Sequence, residues 1–331
     1  QLKSVGTDLD SKYARTKRAT TAPLATPTLV NDPLINRHTV ALRGLKPGTT
    51  YVYAVGDGSP NRWTESAEFT TAPAGAQPFA FVYMGDAQNG LDRWGVLLHN
   101  AYRARPDAAF YLMAGDLVNR GAERWDWDSF FEHSKGVFDR RPLGNHEYQA
   151  KEPQLYLAQF ALPRNGPRTI PPERAYAFEY SNAKFIILDS NLDAAKQTAW
   201  LEKELAKTKA MWKFVSYHHP AYSSGGNRDN VEVRNLWTPI FDKYHVDLAL
   251  QGHDHAYLRT YPMKGGKRVA YGARAISEGG WRWAAAIFIL GNLGVSGSLV
   301  FYDSMLPSVA KADETDRVSS AGYALGYLGG G

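Results

Sequence analysis

The chain has 331 residues, enough for two domains and a buried core. It contains no cysteine, which excludes disulfides and thiolate metal sites and leaves His, Asp, Glu, Asn, Gln or Tyr to hold any metal. A formal charge of +5 and a pI near 9.1 come from dispersed Lys and Arg, which suits an anionic small substrate and carries no nucleic-acid signature.

The opening Gln1-Leu2-Lys3 is polar and reads as no signal peptide. Residues 1 to about 75 are rich in Thr, Pro, Ala and Gly. Short runs such as Thr39–Leu42 and Tyr51–Val55, punctuated by Pro47-Gly48 and Asp57-Gly58, predict antiparallel strands. The run Leu45–Tyr53, followed by Phe69-Thr70-Thr71, resembles the last strands of a fibronectin type III-like domain. The stretch is short for a seven-strand sandwich, so an incomplete all-β domain is expected. Ala72–Ala76 reads as a linker.

From Pro78 the pattern becomes α/β. The apolar run Phe79–Met84 ends at Gly85-Asp86, a helix is predicted over Asp92–Arg105, and the apolar run Ala108–Ala114 ends at Gly115-Asp116. That is a βαβ unit with parallel strands, whose ligands sit beyond the carboxyl ends of the strands. A helix over Trp125–Phe138 precedes Gly144-Asn145-His146-Glu147. Ala175–Tyr180 and Lys184–Leu188 predict a hairpin turning at Ser181-Asn182. Helices follow over Asp193–Lys207, with Asp193 as N-cap, and over Glu232–Tyr244. Strands over Lys213–Tyr217 and Val246–Leu250 run into His218-His219 and Gly252-His253-Asp254-His255. The apolar stretch Ala284–Tyr302 approaches the length of a membrane span, but Gly291, Asn292, Gly294 and Gly297 break it, which favours two short buried strands. The tail from Ser319 is Gly- and Ala-rich.

Asp86, Asp116, Asn145, His218, His253 and His255 are oxygen and imidazole donors suited to Fe, Zn, Mn, Co or Ni. Each cluster alone has a plainer explanation. An Asp after a strand most often caps or turns, Gly-Asn is a common turn, and His253 with His255 could be a surface pair. Five in order at one sheet edge make those explanations jointly poor. No Gly-rich phosphate loop or Gly-x-Ser-x-Gly elbow competes with them. His146, beside Glu147, is the natural general acid.

Gly85-Asp86, Gly115-Asp116, Gly144-Asn145-His146-Glu147, Val215-x-x-His218 and Gly252-His253-x-His255 resemble the ordered motif set of the calcineurin-like metallophosphoesterases. The likeness covers about residues 30 to 262 and is strongest to purple acid phosphatase-like bacterial proteins with an N-terminal fibronectin-like domain. It implies a four-layer α/β/β/α sandwich over residues 78–305, after a fibronectin-like domain at 1–75 and before a loose tail at 306–331. It implies a hydrolase acting on phosphomonoesters, or also diesters, by direct attack of a metal-bound hydroxide at a dinuclear centre. In that pattern Asp86 and His255 bind the first ion, Asp116 bridges, and Asn145, His218 and His253 bind the second. His146 contacts phosphate and protonates the leaving oxygen, and Glu147 orients it. Fe, Zn or Mn are the expected ions. His219, Tyr222 and Arg228 are candidate substrate-binding residues, with Tyr148 and Tyr257 as further pocket candidates. By analogy such proteins are exported.

Four departures qualify the resemblance. Asn119 stands where purple acid phosphatases carry the tyrosine that colours the ferric ion, so that band is expected to be absent. Gln88 stands where wider relatives carry a metal-binding histidine. Asn119 and Gln88 are thus additional candidate ligands. The segment Phe138–Leu143, with Arg140-Arg141-Pro142, makes a poor central strand before the Gly-Asn-His motif, and the resemblance stops after Pro262. These departures motivate an alternative: a non-catalytic binding or adhesion protein with a degenerate phosphoesterase domain.

Overall fold

A computed structural model describes residues 15–24, 35–59, 62–138, 143–144, 153–223, 225 and 227–269. The chain divides into two compact units, Gln1–Thr260 with Lys264–Gly266, and Tyr261–Met263 with Lys267–Gly331. In the second unit the Arg268 guanidinium lies 3.5 Å from the Tyr261 ring centroid, and the Val269 N–H donates to the Pro262 carbonyl.

The N-terminal part of the first unit is two antiparallel ribbons. Strands β1 (Thr20–Leu24) and β2 (Ile35–Thr39) pair with each other, as do β3 (Thr50–Tyr53) and β4 (Ala67–Thr70). Tyr51 stacks on Phe69 across the second ribbon. Among the described residues none before Ala87 is buried, so these strands form ribbons without a dry core of their own. The predicted strand at Thr39–Leu42 falls earlier, on Ile35–Thr39. The predicted linker leads into a fixed point. The Ser181 hydroxyl accepts from the Gln77 N–H and donates to the Gln77 carbonyl, each at 2.7 Å.

The α/β part holds two sheets. The first has the order β5 (Val82–Met84), β6 (Tyr111–Met113), β7 (Leu143–Gly144), all parallel. The second comprises β8 (Tyr176–Tyr180), β9 (Ala183–Ile187), β10 (Trp212–Ser216) and β11 (Leu248–Leu250), in the order β11-β10-β9-β8 with only the β8–β9 hairpin antiparallel. Helices α1 (Leu91–Ala104), α2 (Arg124–Ser134), α3 (Gln154–Gln159), α4 (Ala195–Lys207) and α5 (Val231–Tyr244) connect them. The N-cap of α4 is Ala194, one residue after the expected Asp193, whose carboxylate still accepts from the Ala195 N–H at 2.9 Å; Asn230 caps α5 by accepting from the Val233 N–H.

Strand alternation builds three cores. Tyr111 and Met113 meet Trp94, Leu98, Trp127 and Phe130 of α1 and α2. Leu112 points the other way and joins Phe185, Ile187 and Phe214 between the sheets. Ile186 and Val215 meet Leu201, Leu205, Trp237 and Phe241 of α4 and α5. Helices, sheet, sheet and helices thus stack in that order, and β9 is buried along its whole length. The strand predicted over Phe79–Met84 is assigned only over Val82–Met84, although the Ala109 N–H still donates to the Ala80 carbonyl and Phe79 and Phe81 pack on one face into the aromatic cluster between the sheets. The weak strand before the Gly-Asn-His motif is present as two paired residues, Leu143 and Gly144. Among the described residues no helix is long and apolar enough to cross a membrane. The Ala284–Tyr302 run and the tail lie outside the described residues.

Candidate metal centre

Four of the polar clusters meet beyond the carboxyl ends of β5, β6, β10 and β11. The register of β5 and β6 continues past the strands. The Asp86 N–H donates to the Gly115 carbonyl and the Gln88 N–H to the Asp116 carbonyl. The two Gly-Asp pairs are therefore side by side. Across the gap, the Gly252 N–H donates to the His218 carbonyl, which aligns the two histidine clusters.

Two glycines are required by contact. A Cβ on Gly115, whose φ is +116°, would lie 2.4 Å from His218 Nδ1. One on Gly252 would lie 2.7 Å from the Asp86 carboxylate. Asp86, Asp116, His253 and His255 all adopt the left-handed region, at φ of 54°, 53°, 76° and 46°. Such conformations cost roughly 1–3 kcal/mol each and concentrate where surrounding structure imposes them, typically at functional sites.

Two donor groups result. Asp86, Asp116 and His255 offer ligand atoms all within 4.8 Å of one another, and so do His218, His219 and His253. Asp116 joins them. Its Oδ2 is 3.4 Å from His218 Nε2, and it accepts from the Gln88 amide at 2.8 Å. His253 Nδ1 lies 3.2 Å from His218 Nε2, and the His253 N–H donates to Asp86 at 2.7 Å. His218 Nδ1 donates to the Ala114 carbonyl at 2.9 Å, which directs Nε2 into the site. The Ser190 hydroxyl accepts from the His219 N–H and lies 2.9 Å from His219 Nδ1.

The electrostatics fit cation binding. Burial pushes the Asp86 carboxyl above its ordinary value, with His218 pulling against it. Burial acts upward on Asp116 too, but its hydrogen bond from His218 and the charge beside it leave it lowered. Burial acts downward on His218, yet Asp116 and Asp86 outweigh it and raise that imidazole. Burial and the neighbouring His218 and His253 bring His219 down to about 4, and burial with His218 and Arg228 lowers His253. His219 and His253 are therefore neutral near pH 7, with lone pairs available. The same two carboxylates, Asp116 and Asp86, favour a proton on His218, and a cation would compete with that proton. Gln88 supplies a further sign. Its Oε1 is buried and has no hydrogen-bond partner, while its Nε2 is 2.8 Å from Asp116 and 3.1 Å from His255 Nε2. Rotating the amide would turn that oxygen towards the space between Asp116 and His255. A hard or borderline pair of ions fits this donor set.

Of the other sequence candidates, Asn119 is exposed. Tyr222 is half-buried under the Arg234 guanidinium. Arg228 donates to Asp254 and to the His253 carbonyl. Tyr257 is exposed. Asn145, His146, Glu147 and Tyr148 lie outside the described residues. Sequence reasoning missed Ser223 and Asp254, which carried no motif signal of their own.

The profile of the calcineurin-like phosphoesterases matches residues 79–257, more than half of the chain, and that of the purple acid phosphatase N-terminal domain matches residues 4–71. The chain belongs to the calcineurin-like phosphoesterase family and carries the N-terminal domain of purple acid phosphatases. It is 28% identical over 274 residues to a Mycobacterium tuberculosis protein, covering 68% of this chain and 50% of that one. It is 30% identical over 254 residues to a purple acid phosphatase of Glycine max, covering 67% and 52%. It therefore spans about half the length of the curated relatives it matches. The purple acid phosphatase PPD1 of yellow lupin has the same fold, with a TM-score of 0.64 over 76% of this chain and 53% of that one, at 23% identity.

Proposed function

We propose that the chain is a metal-dependent phosphoesterase that hydrolyses phosphomonoesters, with diesters as a second substrate class. The observation that carries this is the meeting of two donor triads at the carboxyl ends of β5, β6, β10 and β11, joined by Asp116. The first ion is assigned to Asp86, His255 and Asp116, with the Gln88 carbonyl as an added donor. The second is assigned to Asp116, His218, His253 and Asn145. Fe, Zn or Mn suit these ligands. Two such ions, when bound, polarise a phosphoryl oxygen and activate water near neutral pH.

The remaining roles belong to the chain itself. His146, in the stretch that follows β7, is assigned to protonate the leaving oxygen, and Glu147 to orient it. His219, neutral and steadied by Ser190, has a ring nitrogen beside the second group and is assigned to hold a phosphate oxygen or complete that group. Tyr222 is assigned to the pocket wall. Domain boundaries of 1–75, 78–305 and 306–331, a fibronectin-like character for the first, and an extracytoplasmic location belong to the same reading.

Metal analysis and hydrolysis of an aryl phosphate test it. Two transition-metal ions per chain and hydrolysis abolished by chelation are expected. No bound transition metal, with no hydrolysis across pH and added metals, overturns it. His146→Ala should remove hydrolysis while fold and metal content stay; hydrolysis that survives this change would move the acid role elsewhere.

A further inference from the structure

The loop His253–His255 supplies one imidazole to each donor group, yet Asp254 between them belongs to neither. Its carboxylate is nearly buried, with a side-chain exposure of 9%. Both oxygens are engaged away from the donor groups. Oδ2 accepts from the Ser223 hydroxyl, and Oδ1 accepts from Arg228 Nε at 3.0 Å. The same guanidinium donates through Nη2 to the His253 carbonyl at 3.1 Å. One arginine thus holds both the carboxylate and the peptide that leads into it.

We propose that Asp254, Arg228 and Ser223 form a clamp that positions His253 and His255 together, so that both ions depend on one carboxylate that ligates neither; this rests on the phosphoesterase reading above. The loop needs such support because both histidines are in the left-handed region, which is disfavoured for a residue with a Cβ. Two donors on one carboxylate and a third hydrogen bond to the preceding carbonyl fix the peptide orientations on either side of Asp254. The clamp is itself anchored. The Ser223 N–H donates to Asp229 at 2.7 Å, and Asp229 pairs with Arg234 of α5 at 2.7 Å. Helix α5 is set in the core through Trp237 and Phe241. A rigid helix therefore fixes the strained loop. Arg228 suits the task because its planar fork reaches two acceptors at once, which a lysine cannot do.

The clamp makes Asp254 and Arg228 positioning residues, and their signature differs from that of a ligand. Loss of a terminal ligand weakens one ion; loss of the clamp should weaken both. The experiment measures the affinity of Zn²⁺ and of Mn²⁺ at each site of the metal-free full chain, by competition with a chelator. The proteins are wild type, Asp254→Ala, Arg228→Ala and Arg228→Lys, and thermal unfolding of each metal-free form is recorded alongside. Outer-shell partners of metal ligands typically control affinity by about 10–100-fold. Asp254→Ala and Arg228→Ala should weaken both sites by that factor, with the metal-free unfolding temperature close to wild type and partial recovery in Arg228→Lys. Weakening of one site alone, unchanged affinity at both, or a loss that merely tracks metal-free unfolding overturns the clamp. If Asp254→Ala fails to fold, the half-exposed Arg228 decides the question by the same criteria. A wild-type chain that binds no metal overturns the phosphoesterase reading, and the clamp with it, before any variant is compared.

Discussion

The two donor groups share Asp116 as a neighbour but are built differently. Asp86, Asp116 and His255 form an acidic group that is half-buried to exposed, whereas His218, His219 and His253 form an imidazole group that is buried to half-buried. Asp86 and Asp116 of the acidic group stand on two tight Gly-Asp turns on one sheet and are joined by His255 from the other, whereas the imidazole group comes wholly from two strand ends on that other sheet. The difference teaches how one pair of sheets can offer two chemistries. The carboxylates favour a hard ion, and the imidazoles favour a borderline ion such as Zn²⁺. Each sheet sets one character, and the loop 253–255 crosses between them.

The sharpest way to break this comparison is to strike each group alone. Gly115→Ala places a Cβ on His218 Nδ1 while that nitrogen is tied to the Ala114 carbonyl, so the imidazole must move. A displacement near 1 Å at a reacting centre costs about 100-fold in rate. Gly115→Ala is therefore expected to lose the second ion and at least that much hydrolysis. Asp86→Ala is expected to lose the first ion instead. Metal stoichiometry falling from two to one in each, with a different ion retained, sharpens the comparison. Both variants losing both ions would mean that the groups act as one.

How much of this could be read beforehand differs between the sheets. The carboxyl-edge motifs were legible because each polar cluster directly follows an apolar run, and the structure brings four of them together. The β8–β9 hairpin was legible from local turn chemistry, and the start of α4 was legible to within a residue or two of Asp193. Less legible was anything set by distant partners. Asp254 is fixed by Ser223 and Arg228, 31 and 26 residues away, and a carboxylate between two histidines gives no sign of that. The aromatic cluster that Phe81 joins is drawn from both sheets, which no local period reports. Of the N-terminal strands, β3 and β4 were recognisable from their runs, whereas β1 was not read and β2 falls earlier than expected; the two separate ribbons follow from which strands pair, and that is not a local property.

A smaller effect comes from pH. His218 is raised in the folded chain, so its contribution to the metal-free fold is present below its unfolded value of about 6.5 and is lost as pH rises through the folded one. A cation must displace that same proton. Affinity at the imidazole group should therefore fall by about tenfold per pH unit below the raised value. Burial together with His218 and His253 keeps His219 neutral down to about 4, so it adds no slope above that. Metal titrations between pH 5 and 8 check this. A flat affinity at the imidazole group would place the competing proton elsewhere. At the acidic group a proton on Asp86, whose carboxyl is raised by burial, competes with the ion.

The smallest expected change tests the acidic group at Gln88. Its carbonyl oxygen is buried without a partner, while its amide nitrogen faces Asp116 and His255. This arrangement ties two acceptors together. With an ion between them, the amide would have to turn and present oxygen. Gln88→Ala should then weaken the first ion by about tenfold, the lower end for groups that orient or supplement metal ligands, and leave the second unchanged. Gln88→Glu keeps the oxygen and adds charge, so it should restore or exceed wild-type affinity there. Equal affinity in all three proteins would show that Gln88 only fills space. Because Asn119 is exposed and carries no phenolate, an iron-loaded wild-type chain should also lack the visible tyrosinate band, and Asn119→Tyr is the change that could introduce it.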